Sequence, residues 1–205
     1  MCKKVYVVGN KVNIPDCSLI SQHNSKDCSL VFVGKMSYEP NVVAVTYFAE
    51  HVLPDLLKYY PQLKFMIVGA HPDMRVQKLA EKEGVQVTGY VDSIEPYFQN
   101  ATIVVAPMLT GAGIQNKIIQ AMSYGCCVVT TTIGAEGLNI QHNEIAIANG
   151  NGEIKQVILS LLSDVNKRRE MGRLAREYVI NNLSDEVIGK QFWAFIESAR
   201  SGDSI

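Results

Sequence analysis

Apolar residues in this chain come in short dense runs separated by longer stretches of helical period. The runs are VYVV (5–8), LVFVG (30–34), FMIVGA (65–70), VQVTG (85–89), TIVVAP (102–107), CCVVTTT (126–132) and EIAIA (144–148). They are rich in Val and Ile and show little polar alternation, which predicts strands covered on both faces. Between 41 and 59, Val45, Phe48, Ala49, Val52, Leu53 and Leu56 recur at three- and four-residue steps and predict one helix, with Asn41 after Pro40 as its N-cap. Shorter helices are expected over 72–83 and 114–124, closed by Gly84 and Gly125, and over 93–100. From about 151 the pattern is wholly helical, in two or three segments. Ser184 is placed to cap the last of them, with Asp185 and Glu186 in its first turn. Residues 9–29 are polar and turn-rich and read as a surface connection. Strands alternating with helices imply an α/β fold, a doubly wound parallel sheet of Rossmann-like type followed by carboxyl-terminal helices.

Composition narrows the function classes. The 205 residues suit a single domain, with 47% apolar and 19% charged residues. A net charge of −1 supplies no bulk attraction to nucleic acid or an anionic membrane, so any anion site must be local. No apolar run approaches a membrane span, and the stretch MCKKVYVVGN is too short in apolar residues for a signal peptide. Cys2, Cys17, Cys28, Cys126 and Cys127 lack C-x-x-C spacing, and His23, His51, His71 and His142 lack metal-ligand spacing. The expectation is a cytoplasmic protein without a metal site, in which Cys126 and Cys127 pack as small hydrophobes on opposite faces of a strand. The basic run NKRRE (166–170) reads as a solvated helix face. Phe192, Trp193 and Phe195 read as core or as a docking stripe for another domain.

In a parallel sheet, ligands bind beyond the carboxyl ends of the strands, near the point where strand order reverses. The loops there are Gly34 to Tyr38, Gly69 to His71, Gly89 to Val91, Pro107 to Gly113 and Thr131 to Gly137. Gly111 and Gly113 can bare backbone amides, a helix start follows them, and Lys117 lies near that start. The segment fits a phosphate cradle, and it also fits a tight turn with a solvated lysine. Lys35, immediately after Gly34, is open to the same two readings. Asn116 and Gln120 share a helix face and can meet a ribose or water.

Taken together, FVGKMSYEPNVVAVTYFAEHVLPDLL, FMIVGAHP, VTGYVDSIEPYFQNATIVVAPM and GAGIQNKIIQAMSYGCCVVTTTIGAEGL resemble the carboxyl-terminal half of a retaining, GT-B-fold glycosyltransferase. The narrower likeness is to the bacterial group 1 (family 4) type that builds polysaccharides and other glycoconjugates, and it extends over about residues 5–200. The resemblance implies that residues 1–205 form one domain binding a nucleotide-diphospho sugar, UDP- or GDP-linked, as donor substrate without a further cofactor. It implies an amino-terminal acceptor domain upstream, absent from this chain, through which the enzyme would associate peripherally with a membrane. Residues 5–12 resemble the strand that joins the two domains.

Carried over by position, Lys35 and Lys117 become the groups that stabilise the leaving diphosphate. Gly34, Gly111, Ala112 and Gly113 line it. Asn116 and Gln120 face the ribose, Tyr90 and Val91 pass beside the nucleobase, and Gly134, Ala135 and Glu136 form the later loop near the donor. One position departs from the family pattern. Where the family has Leu-Glu-Ala-Met, this chain has Ile119-Gln120-Ala121-Met122, and the acidic residue found eight positions upstream in many members is Ala112. Glutamine can bond a diol but lacks the charge that makes the stronger bonds. Two functions stay open: the donor half of a hexosyltransferase, and a non-catalytic module that kept the fold. An epimerase of the same fold would want acidic and histidine residues in the cleft.

Overall fold

The computed structural model describes residues 12–16, 28–140 and 143–201; the expected strand at 5–8, most of the 9–29 connection, Cys2, Cys17, His23 and His142 lie outside these. The described strands are β1 Ser29–Val33, β2 Lys64–Val68, β3 Val85–Gly89, β4 Ile103–Ala106, β5 Val128–Thr130 and β6 Ala146–Ile147. The helices are α1 Glu39–His51, α2 Leu53–Leu57, α3 Met74–Leu79, α4 Glu95–Asn100, α5 Asn116–Ser123, α6 Gly150–Ser163, α7 Val165–Leu183 and α8 Asp185–Ser201. Every described pairing is parallel, in the order β3-β2-β1-β4-β5-β6. The Rossmann-like expectation therefore holds, and strand order reverses between β1 and β4.

Burial on both faces follows from the unalternating sequence. Phe32, Phe65, Ile67 and Val105 pack with Val45 and Phe48 of α1 and Ile158 and Leu161 of α6 on one side. Val31, Val33, Val104 and Val128 pack with Phe98, Ile118, Met122 and Val179 on the other. Cys126 and Cys127 fall in opposite layers, as adjacent residues of an extended chain must. Burial pushes the Cys127 thiol up to about 12 and Cys126 higher still, so both pack as small hydrophobes.

Four expectations need correction. The helix over 41–59 is two helices, because Pro54 lacks an amide and its ring opposes the carbonyl four residues back; the break falls at Val52. Asn41 is not the cap: Pro40 starts the helix earlier, Tyr38 is the N-cap, and Asn41 turns inward, 3% exposed. Arg168 does not belong to a solvated face; it is 8% exposed and donates to the carbonyls of Leu161 and Leu162 at the end of α6. Phe192 and Trp193 are exposed, which rules out the core reading for them. The Ser184 cap is present, since its hydroxyl accepts from the amide of Val187 at 3.4 Å. No helix among the described residues is long and apolar enough to cross a membrane.

Candidate functional site

The candidate site lies at the carboxyl ends of β1 and β4, where strand order reverses. Beyond β1 the chain turns at Gly34-Lys35 into α1. Asn41 ties this turn down, its Nδ2 donating to the Lys35 carbonyl at 3.0 Å while its buried Oδ1 has no partner. A Cβ on Gly34 would meet that Nδ2 at 2.6 Å, so any larger residue must displace the asparagine side chain. The β2 loop locks onto the same turn. The Met36 amide donates to the Ala70 carbonyl and the Asp73 amide to that of Met36, each at 3.0 Å. Gly69, at φ +150°, passes so close that a Cβ would lie 1.7 Å from the Gly34 oxygen. Lys35, two residues beyond the end of β1, is exposed.

Beyond β4 the loop of Met108 to Gln115 leads into α5. Gly111 and Gly113 take positive φ, +128° and +70°, and Gly111, Ala112 and Gly113 are all exposed. A Cβ built on Gly111 would lie 3.9 Å from the Cβ of Pro40, so this loop and the start of α1 face each other across the crevice. Lys117 is the second residue of α5, closer to the helix start than expected. Its ammonium is half-buried, 5.3 Å from the ring centre of Phe32 on β1, which brings the two sides of the crevice together. Its polar partners are the Gln115 Oε1 at 3.0 Å and the Met108 sulfur at 3.6 Å; no carboxylate among the described residues pairs with it. Burial pulls its pKa down to about 8.

The β5 loop closes the site from the side. Thr130 and Thr131 donate through their hydroxyls to the carbonyls of Ala106 and Met108, at 2.7 and 2.6 Å. Gly134 and Ala135 are buried, and their amides bond within the loop, to the Thr131 hydroxyl and carbonyl. Glu136 is exposed, and its carboxylate accepts from the Gly113 amide at 3.0 Å. Asn116 is exposed and Gln120 half-buried on the same helix. Tyr90 is 75% exposed and Val91 half-buried, following β3, which lies two strands from β1, about 10 Å at ordinary strand spacing.

The structure thus brings together Gly34, Lys35, the 111–113 loop, Lys117 and Glu136, and leaves Tyr90 and Val91 toward one edge. Sequence reasoning missed Gln115, Met108 and Asn41. Gln115 stood close to the quoted glycines. Asn41 carried no signal, because a polar residue after proline reads as a cap.

Comparison with known proteins agrees with this architecture. The sequence model of the family "Glycosyl transferases group 1" matches residues 27–164. An "uncharacterized 44.6 kDa protein in cps region" of Klebsiella pneumoniae is 24% identical over 171 residues, 79% of this chain and 44% of that protein. The fold of Staphylococcus aureus TarM, solved as a point mutant with fondaparinux, alpha-GlcNAc-glycerol and UDP, superposes with a TM-score of 0.77 at 21% identity. That match covers 94% of this chain and 39% of TarM, so this chain spans less than half the length of either relative. A group 1 carboxyl-terminal domain, LpcC of Francisella tularensis, matches with a TM-score of 0.63 at 19% identity, over 82% of this chain and 90% of that domain. The sheet and its flanking helices are those of a GT-B carboxyl-terminal domain.

Proposed function

Because the chain belongs to the glycosyl transferases of group 1, we propose that it is the donor-binding half of a retaining enzyme that transfers a sugar from a nucleotide diphosphate to a glycan or other glycoconjugate. The observation that carries this reading is the half-buried Lys117 ammonium. It lies in the β1–β4 crevice without a carboxylate partner among the described residues, next to a glycine loop of exposed residues. A buried cation lacking a counter-ion is unfavourable until an anion arrives. A diphosphate there meets Lys117, Lys35 across the crevice, and the amides of Gly111, Ala112 and Gly113.

The chemistry assigned to these groups is stabilisation of the departing nucleoside diphosphate. As the glycosidic carbon–oxygen bond breaks, negative charge gathers on the leaving phosphate oxygen, and fixed positive groups lower that barrier. The two lysines and the amides supply that charge, so the reading asks for no cofactor. Asn116 and Gln120 are assigned to the ribose, and Tyr90 and Val91 to the base. TarM, solved with UDP, makes UDP the first nucleotide to test. The acceptor would be held by an amino-terminal domain, and the reading places the whole in the cytoplasm, with membrane association through that other half.

Calorimetric titration with UDP, GDP and their sugars tests this. Micromolar to millimolar binding, weakened most in Lys117→Met and less in Lys35→Ala, is expected. No binding by any nucleotide, with Lys35→Ala no different from the parent, sinks the reading. One residue favours a second reading, a binding module without transferase activity: Gln120 stands where the family carries glutamate. Transfer by the two-domain enzyme would dismiss that alternative.

A further inference from the structure

A line of hydrogen bonds runs through the glycine loop. The Glu136 carboxylate accepts from the Gly113 amide at 3.0 Å; the Gly113 carbonyl accepts from Gln115 Nε2 at 3.2 Å; and Gln115 Oε1 accepts from the Lys117 ammonium at 3.0 Å. It begins on an anion and ends on a cation, and every link lies where the proposed diphosphate would bind. We propose that Glu136 is a tethered anion that occupies the cradle in the ligand-free chain and is displaced by the donor's diphosphate. The proposal rests on the donor-site reading and assigns a regulatory contact within that site.

Three observations support it. First, the Gly113 amide has one proton to donate, so it serves the carboxylate or a phosphate oxygen, not both. Second, Glu136 is not needed to hold the loops together. The β4 and β5 loops are clasped by the threonine bonds from Thr130 and Thr131. They also pack closely, since a Cβ on Gly137 would meet Ile114 Cγ1 at 2.8 Å. Third, the Glu136 side chain is exposed, so it can swing into water at little cost when a stronger anion enters. The bond to Gly113 is thus a reversible contact on a loop that stays in place without it. While it lasts, the carboxylate repels any second anion approaching the cradle.

The consequence is specific in sign. A residue that binds the donor would weaken affinity when removed, whereas a competing anion strengthens it. Glu136→Gln and Glu136→Ala are expected to bind UDP and inorganic pyrophosphate about three- to tenfold more tightly than the parent. Uridine, which carries no phosphate, should bind all three chains alike. The Gly113 amide resonance of the parent should shift when pyrophosphate is added, because the amide then exchanges one acceptor for another. Equal or weaker UDP binding by both variants overturns the proposal while leaving the donor site intact, as does a Gly113 resonance indifferent to pyrophosphate. Failure of all three chains to bind UDP or pyrophosphate overturns the donor reading and this contact with it.

Discussion

Lys117 shows how one side chain links fold to chemistry. Burial disfavours its charge and brings its pKa from 10.5 to about 8. Binding a diphosphate favours the charged form and raises that pKa again. Nucleotide affinity should therefore be full below about pH 8 and fall as pH rises above it, up to the bound-state pKa. Titrations across pH 7–10 check this, and Lys117→Met should be flat as well as weak. For folding the sign is opposite. The unfolded lysine holds its proton up to about 10.5, so stability should rise between about 8 and 10.5, a slope absent from Lys117→Met. Gln120 permits a second test. If it meets the ribose, Gln120→Glu turns neutral hydrogen bonds into charge-assisted ones and should tighten UDP about tenfold while leaving pyrophosphate unchanged. A gain for neither ligand would remove Gln120 from the ribose site.

The elements around the site are joined at their ends, and those joints are where substitution tells most. Arg168 spans from α7 to the last carbonyls of α6, its Nη1 lying 3.0 Å from the Leu162 oxygen. Arg168→Ala should cost about 1.5–3 kcal/mol of stability in urea unfolding, the range for hydrogen bonds to a charged group. Its Nε already lacks a partner, so the lower half of that range is expected. Gly69→Ala is the harsher change. The added methyl carbon would sit 1.7 Å from backbone, which cannot rotate away, and the β1 and β2 loops must separate. Loss of nucleotide binding together with a lower midpoint is the expected result. A stable variant with normal binding would show that the two loops move independently.

As a whole the molecule gathers its candidate site at one end of the sheet. The lysines and glycine loop lie at one end of the sheet, and the exposed Phe192 and Trp193 lie on the last helix. The isolated chain is expected to bind UDP weakly and to transfer no sugar, because the proposed reading places the acceptor on an amino-terminal domain. A radiolabelled-donor assay on the chain alone, then on the protein with an amino-terminal acceptor domain, reads this directly. Transfer by the isolated chain would mean that the chain itself holds the acceptor.

Much of this architecture was legible in the residues. Unalternating Val and Ile runs can only be covered on both faces, and helical segments between them force parallel strands. Gly125, which follows the end of α5 at φ +68°, was readable because few side chains adopt that geometry, whereas α3 stops at Leu79 and Gly84, at φ +74°, turns the chain five residues beyond it. The family likeness and the glycine loop were also visible, since both depend on local order and spacing. The partners across the sheet were not. That Lys117 lies over Phe32, far earlier in the chain, depends on β1 pairing with β4, a contact no local pattern encodes. Arg168 reads as solvated because charge predicts exposure, until the end of α6 supplies carbonyls that bury it. Asn41 reads as a cap until the turn beside it offers a carbonyl. Nor could spacing reveal that Glu136 reaches Gly113 across two loops. Periodicity and glycine placement act through the chain's own backbone and so survive in sequence, whereas counter-ions, desolvation and shared hydrogen bonds arise only when distant segments meet.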